Sequence, residues 1–421
     1  MGAIPFTQVE AGSRHLFISH QPRAWFTCDA DDVESVRTQF KQGDRDLLQS
    51  LRQNSIPDRS PNLSHLAMYP VIKLTNRCNL NCSHCYIEAH DSMKSGKYNL
   101  EFRDVVNFVE YITDLGEKRG EPTLTMQLFG GEPTLHSQFS DILTYIREKG
   151  IYVRVSTNAA NIKLFQSGRF DKHFQDPEVE WRVSLESHLP EAHNQIRPNS
   201  YHNVVENLRY MASYGARISI KTVVGQHNYD HFEDIIYFSR DIGATDYLYS
   251  PLSLTGNALK NNIINRITTL MINKKVIGLI EKDHDMGPFL RSSPLARYLK
   301  LIYLRQCSVL PRVQFFVNHD GKVCPQDNLY EVPAYHFGNI LEGDYGLEEV
   351  ERYQRKIESE LQACKSCGAN GFCPKGDYAD LAMKDSEFNS EFSVCDDIRE
   401  VVYYLMSLED RGAKLLDLIY A

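Results

Sequence analysis

From Val71 to Leu254 the chain repeats one unit, a short apolar run followed by an amphipathic one. The short runs read as strands over Val71–Leu74, Thr123–Phe129, Ile151–Ser156, Glu180–Leu185, Arg217–Val224 and Asp246–Ser250. The amphipathic runs read as helices over Leu100–Leu115, Ser137–Lys149, Ile162–Phe174, Asn203–Tyr214 and Asp230–Ile242. Four of the helical runs meet a glycine, Gly116, Gly150, Gly215 or Gly243, where a left-handed C-cap is expected. Such alternation dictates a parallel sheet with right-handed helical crossovers. Six units are too few to close an eight-stranded barrel, so the expected fold class is α/β, an open, partial (β/α)6 barrel. Chemistry on such a sheet belongs at the carboxyl ends of its strands.

The first strand leads at once into K-L-T-N-R-C-N-L-N-C-S-H-C-Y, Lys73 to Tyr86, with Cys78, Cys82 and Cys85 at C-x3-C-x2-C spacing. Three soft thiolates on one short loop suit an iron–sulfur cluster or zinc. A closed site needs a fourth ligand, and none lies nearby in the sequence. With three thiolates, one iron of a four-iron cluster keeps an open coordination position. A structural zinc loop or a redox pair would use the same residue types. The spacing, with Tyr86 after the third cysteine, resembles the cluster loop of the radical S-adenosylmethionine (radical SAM) enzymes. The resemblance implies that SAM chelates the open iron through its amino and carboxylate groups. An electron from the cluster then breaks the sulfonium bond, and the 5′-deoxyadenosyl radical abstracts hydrogen from a C–H. The reaction belongs to the cofactor; the protein orients and shields it.

Further motifs fall at the same edge of the expected sheet. Gly130, Gly131, Glu132 and Pro133 follow the second strand, and L-F-G-G-E-P-T-L resembles the family's GGEP element. Glycines let backbone approach a ligand closely, and a carboxylate can bind an ammonium, so the resemblance places the SAM amino group here. Taken alone, G-G-E-P is also a tight turn. Ser156-Thr157-Asn158 ends the third strand and looks like the family's ribose-contacting S-T-N. Ser184-Leu185-Glu186-Ser187 ends the fourth, where relatives commonly read S-(I/L)-D-G, so this chain departs at the last two positions. Arg197, in H-N-Q-I-R-P, matches the arginine that in relatives reaches the SAM carboxylate. The implied cofactor-binding set is therefore Tyr86, Gly130, Gly131, Glu132, Pro133, Ser156, Asn158, Ser184 and Arg197.

A second cysteine group begins at Cys307 and runs through Cys324, Cys364, Cys367, Cys373 and Cys395. The segment A-C-K-S-C-G-A-N-G-F-C-P-K-G-D resembles the SPASM extension, which carries auxiliary iron–sulfur clusters. Two departures mark this chain: the step from Gly321 to Cys324 is short, so Gln326 stands where a cysteine is usual, and Asp377 replaces the cysteine after Cys373. By resemblance, Cys364, Cys367, Cys373 and Cys395 would ligate one complete four-iron cluster. Cys307 and Cys324 would belong to another, with Asp377 as an oxygen ligand; a carboxylate binds iron, though less softly than thiolate. The alternative is a surface aspartate beside a degenerate or zinc site. With the loop cluster this makes three [4Fe-4S] clusters and SAM. Asp327, in V-C-P-Q-D-N, stands where anaerobic sulfatase-maturating relatives carry a catalytic proton acceptor, and equally suits a turn with Asn328.

The remaining segments frame these motifs. Residues 1–57 read as a small N-terminal α+β unit, with strands His15–Ser19 and Arg23–Cys28 joined at Gln21-Pro22, and helices Asp31–Lys41 and Asp44–Gln53. This unit is either a cap on the barrel or a leader-peptide recognition element. Asp58–Pro70, rich in Pro and Ser, reads as a linker, with Pro70 marking where a strand can begin. The barrel then occupies 71–254, a helical connector 255–304, the loop-rich SPASM iron–sulfur domain 305–397 and one closing amphipathic helix 398–421.

At 421 residues the chain exceeds a single core. A net charge of -9 without a basic run argues against a nucleic-acid partner. No apolar run reaches ~18 residues, so no membrane partner is expected, and M-G-A-I-P-F-T-Q-V-E does not read as a signal peptide, which points to the cytoplasm. Ten cysteines without an export signal favour metal ligation over disulfides. The resemblance implies a radical SAM/SPASM oxidoreductase acting on a ribosomally made (RiPP) precursor peptide to form an intrapeptide crosslink, carbon–carbon (cyclophane-like) or thioether. It also implies a flavodoxin- or ferredoxin-type electron donor. The alternative is an anaerobic sulfatase maturase forming formylglycine from Cys or Ser, though such relatives usually begin their cysteine loop nearer the N-terminus. A non-enzymatic iron–sulfur scaffold is the third class.

Overall fold

The structure, a computed structural model, describes residues 2–11, 13–55, 67–87, 99–120, 125–304, 312–325, 330, 333–352, 367–373 and 394–421. The chain divides into two compact units. One comprises Met1–Asn62, Thr268–Leu310 and Ile357–Ala421; the other comprises Leu63–Ile267 and Pro311–Lys356.

The first unit opens with a three-stranded antiparallel sheet, β1 (Phe6–Ala11), β2 (Arg14–His20) and β3 (Arg23–Asp29), followed by α1 (Val33–Gln42) and α2 (Arg45–Gln53). Sequence reading missed β1, whose T-Q-V-E core mixes polar and apolar residues. It pairs with β2 along its whole length, from Phe6 opposite Ser19 to Ala11 opposite Arg14. Phe17 and Phe40 are fully buried between sheet and helices, their rings 5.7 Å apart, so the unit closes its own small core.

The second unit holds a nine-stranded sheet. Its centre is six parallel strands in sequence order: β4 (Ala67–Thr75), β5 (Thr125–Gly130), β6 (Tyr152–Thr157), β7 (Val179–Ser184), β8 (Arg217–Val224) and β9 (Asp246–Pro251). Among the helices of this unit are α3 (Phe102–Arg119), α4 (Phe139–Glu148), α5 (Ile162–Phe165), α6 (Asp171–Phe174), α7 (Pro190–Ile196), α8 (Tyr201–Ser213), α9 (Phe232–Asp241) and α10 (Gly256–Lys260). The six-fold β/α alternation is thus as expected, with three local corrections. α3 runs through Gly116, which is buried on its packed face, and ends at the left-handed Gly120. The expected helix Ile162–Phe174 is two short ones, α5 and α6, parted where Gly168 takes φ 79°. β4 starts four residues before Val71, so Pro70 lies inside a strand. Its missing N–H costs nothing toward β5, where pairing begins only at Val71, while on the other side it stands opposite Phe315 of a later strand.

Fully buried parallel strands usually read apolar on both faces. Here they alternate. Leu128, Val155, Trp181, Val183, Ile218, Ile220 and Tyr247 are fully buried on one face, while Gln127, Arg154, Glu180, Arg182, Arg217, Ser219 and Lys221 line the other. Register confirms the sharing of faces: Gln127, Arg154, Glu180 and Arg217 stand level across β5 to β8, and Ser156, Arg182, Ser219 and Asp246 across β6 to β9.

In the first unit, α11 (Thr269–Lys282), α12 (Met286–Phe289) and α13 (Pro294–Tyr303) follow. The second unit then regains β10 (Arg312–Val317), which pairs parallel to β4, and β11 (Lys322–Cys324) and β12 (Gly338–Asn339), antiparallel in turn. These strands extend the sheet beyond the six units the sequence implied. The closing helix is two, α14 (Val394–Ser407) and α15 (Asp410–Tyr420), broken where Glu409 takes φ 50°. Among the described residues no helix is long and apolar enough to cross a membrane.

Candidate active site at the cysteine loop

The loop after β4 carries Cys78, Cys82 and Cys85, and three neighbouring segments hold it. Gly131 N–H donates to Thr75 O at 2.9 Å and Glu132 N–H to Arg77 O at 2.8 Å, so the turn after β5 lies flat against the start of the loop. A Cβ at Gly130 would stand 2.6 Å from Thr75 O, and one at Gly131 would collide with Arg77 O. Only glycine permits this approach. The second support is the end of α7, where Ile196 O accepts from Ser83 N–H at 3.0 Å, and the third is α10, in the segment read from sequence as a connector. Asn257 N–H donates to Cys85 O at 2.9 Å, its Nδ2 to Cys82 O at 3.2 Å, and Asn261 Nδ2 to Ser83 O at 2.8 Å. Gly256, at φ 53°, makes this contact possible, since a Cβ there would lie 2.5 Å from Cys85 O.

Two side chains reach the sulfurs. Asn158 Nδ2 lies 3.8 Å from Cys78 Sγ and donates to Asn79 Oδ1 at 2.9 Å. Arg197 Nη1 lies 3.7 Å from Cys82 Sγ. Burial, with smaller contributions from Glu132 and the neighbouring thiols, pushes Cys78 up to about 12, and burial raises Cys82 as well. A half-buried group of thiols facing an amide and a guanidinium suits a thiolate-ligated metal cluster, and binding of the metal to the thiolates would reverse that shift. Among the described residues no three Cys, His, Asp or Glu side chains converge closely enough to hold a single ion.

Two buried carboxylates organise the site, and their environments push them in opposite directions. Glu132 is 1% exposed; Oε1 accepts from Thr134 Oγ1 at 2.6 Å, Thr157 Oγ1 at 2.7 Å and Thr134 N at 3.2 Å, and Oε2 from Asn158 N at 2.7 Å. All four partners are neutral, so burial wins and raises its pKa. Its lone pairs are filled from within the chain, tying the ends of β5 and β6 together. Glu186 is fully buried; Oε1 accepts from Arg197 Nε at 2.7 Å and lies 3.7 Å from His84 Nε2, while Oε2 accepts from Val223 N at 2.9 Å. Burial pushes its carboxyl up, but the Arg197 charge outweighs this and holds it down at about 2. Sequence reading had noted Glu186 only as a departure from S-(I/L)-D-G. The longer side chain bridges to Arg197, which stands at Cys82.

The other expected residues are placed as follows. Pro133 is buried in the turn after Glu132. Ser156 Oγ accepts from Gln127 Nε2 at 3.3 Å, on the polar face below Asn158. Ser184 ends β7 level with Lys221. Tyr86 is 48% exposed just past Cys85. Cys324, in the same unit, is fully buried beside Tyr69, Val71, Phe129 and Phe316, with Asn318 Nδ2 3.5 Å from its sulfur. Cys367 and Cys373, in the other unit, flank one compact turn. Cys395 lies in the first turn of α14, its side chain outside the described residues, as are Cys307, Asp327, Cys364 and Asp377.

Residues 72–238 match the Radical SAM superfamily. The antilisterial bacteriocin subtilosin biosynthesis protein AlbA of Bacillus subtilis is 24% identical over 200 residues, covering 47% of this chain and 42% of AlbA. Streptococcus suis SuiB, solved bound to precursor peptide SuiA, superposes with a TM-score of 0.60 at 14% identity over 94% of this chain and 100% of that one. Native anSMEcpe with bound AdoMet and Cp18Cys peptide gives 0.64 at 18% identity over 84% and 99%. These likenesses show a common fold. This chain spans about half the length of the first curated relatives it matches, 56%, 42% and 46% of them.

Proposed function

The chain carries a radical SAM superfamily domain over residues 72–238, and on that premise we propose that it is a peptide maturase that forms an intrapeptide crosslink in a ribosomally made precursor. The observation that carries the reading is the loop of three thiols at the carboxyl end of β4, with Arg197 at one sulfur and Asn158 at another. Cys78, Cys82 and Cys85 would hold a [4Fe-4S] cluster with an open iron. When bound, that cluster and SAM supply the 5′-deoxyadenosyl radical. The chain's own residues do the positioning. Gly130 and Gly131 leave backbone bare for the SAM amino group, while Glu132 fixes their turn from behind. Arg197, oriented by Glu186, would offer its guanidinium edge to the SAM carboxylate, with Ser156, Asn158 and Ser184 on the ribose side and Tyr86 at the rim. Cys364, Cys367, Cys373 and Cys395 would ligate one auxiliary cluster, and Cys307, Cys324 and Asp377 another. A flavodoxin- or ferredoxin-type protein would supply electrons. AlbA's role in bacteriocin biosynthesis and SuiB's precursor peptide support the peptide substrate.

The likeness to anSMEcpe keeps a second reading, formylglycine formation with Asp327 as base. One experiment separates them. The anaerobically reconstituted chain is incubated with SAM, reductant and either its candidate precursor peptide or a sulfatase-derived Cys or Ser peptide. Crosslinking removes a hydrogen pair from the precursor and leaves no aldehyde; formylglycine reacts with hydroxylamine. Failure of wild-type protein to release 5′-deoxyadenosine, or its undiminished release by Cys82→Ala, would overturn both.

A further inference from the structure

The polar face of the sheet is rich in cations. Across β4 to β9 it carries Lys73, Arg154, Arg182, Arg217 and Lys221, against the carboxylates of Glu180 and Asp246. The chain as a whole is acidic, at -9, so this excess of positive charge is local to one face.

Glu180 shows where the excess lies. Its Oε2 accepts from Arg154 Nε at 3.0 Å and Tyr152 OH at 3.1 Å, and its Oε1 from Arg182 Nε at 2.8 Å and Ser219 Oγ at 2.9 Å. One carboxylate serves two guanidiniums, and every one of its lone pairs is engaged. The two guanidiniums differ in what remains. Arg154 continues through Nη1 to Tyr69 OH at 3.2 Å, and its charge stacks on the Tyr69 and Tyr152 rings. Arg182 is held through Nε alone; among the described residues its Nη nitrogens have no hydrogen-bond partner, and its side chain is 21% exposed. An arginine fixed at Nε by a saturated carboxylate, with both Nη nitrogens unpaired among the described residues, is preorganised to bind a second carboxylate. Lys221, exposed, projects from the same face nearer the cysteine loop, level with Ser184. Arg217 covers the third side, its charge over the Tyr152 ring.

We propose that Arg182, flanked by Lys221, binds a carboxylate of the peptide substrate on the inner face of the barrel, so that the residues modified lie close to an acidic side chain or to the peptide's free C-terminus. This inference rests on the peptide-maturase reading and specifies its substrate class. A nucleic-acid polyanion fits poorly, because it would have to approach a chain of net negative charge. The guanidinium is only one-fifth exposed, so its attraction for a carboxylate is screened less than at the surface.

The test uses the full chain, reconstituted anaerobically and loaded with SAM. Two libraries of short random synthetic peptides are passed over it, one with free C-terminal carboxylates and one with C-terminal amides, and retained peptides are sequenced. Retained peptides should be enriched in Asp and Glu in both libraries if a side chain is bound, or retained only from the first if the terminus is bound. Arg182→Gln should reduce the enrichment by about 10-fold or more, the loss expected for a charge-assisted bidentate contact. Arg209→Gln, an exposed charge on α8, should leave it unchanged. Lys221→Gln, at an exposed position, provides the second variant and should lower the enrichment several-fold. Retention without preference for acidic groups, or with equal preference in wild type and both variants, overturns the proposal. Release of 5′-deoxyadenosine is measured on the same samples: its absence sinks the enzymatic reading, whereas its presence without acidic preference sinks only this inference.

Discussion

Replacing Glu186 by glutamine isolates one charge at the centre of the site. The carboxylate is fully buried and meets Arg197 Nε at 2.7 Å. The amide is of similar size, and its oxygen can still accept from Val223 N–H. What is lost is the counter-charge to a guanidinium whose side chain is 13% exposed. Removing one partner of a buried pair costs about 3–5 kcal/mol, because the other charge remains desolvated. For a unit of this size, a destabilisation of 1 kcal/mol lowers the midpoint by about 2–4 °C, so the expected fall is on the order of 6–20 °C. The chain has two tryptophans, and Trp181 is fully buried on the apolar face of the barrel sheet. In a Trp25→Phe background its fluorescence therefore reports unfolding of that unit alone. Urea titration of the metal-free protein measures the change, and Glu34→Gln, which breaks an exposed pair with Arg37, should leave the transition in place. A loss under about 1 kcal/mol for Glu186→Gln would refute the claim that Arg197 depends on Glu186 for its charge balance.

Three further outcomes follow from the same geometry. Trp181 packs against Phe139, Phe165, Phe170 and Phe174 with no exposure, so Trp181→Ala should cost about 3–5 kcal/mol by denaturant titration. Burial holds His173 at about 4, below its ordinary 6.5. Between those values the unfolded chain takes up a proton that the native state refuses, so stability falls as pH drops through that window. His173→Gln should flatten the fall by up to roughly 3 kcal/mol, read from urea midpoints at pH 7 and pH 4.5. Gly131→Ala forces a Cβ onto Arg77 O and must displace the loop. Iron retained after anaerobic reconstitution should drop by about half or more in that variant, with far-UV circular dichroism little changed.

What could be read from the sequence is what short spacings encode. The β/α alternation, the thiols of Cys78, Cys82 and Cys85, and the glycine pair after β5 each declare themselves within a few residues, and the structure places them at one edge of one sheet. What escaped notice depends on distant partners. Glu186 acts through Arg197, eleven positions on, and through Val223 across β8. Asn257 and Asn261 hold cysteine-loop carbonyls more than 170 residues upstream, and nothing in their own neighbourhood announces it. Gly116 looked like a stop, but packing of the apolar stripe Val105, Phe108, Val109 and Ile112 carries α3 past it. β10 and β11 lie in a stretch dominated by cysteines, where metal ligation was the louder signal.

The parallel pairing of β4 with β10 bears on how the chain is made. β4 emerges early in synthesis, yet the strand on its far side, from Arg312 opposite Ala67 to Val317 opposite Ile72, arrives some 245 residues later. Until then the strand that feeds the cysteine loop offers a row of bare amides and carbonyls to any extended chain nearby, the arrangement that invites edge-to-edge aggregation. A nascent or truncated protein ending before β10 should therefore be sticky, whatever the state of its thiols.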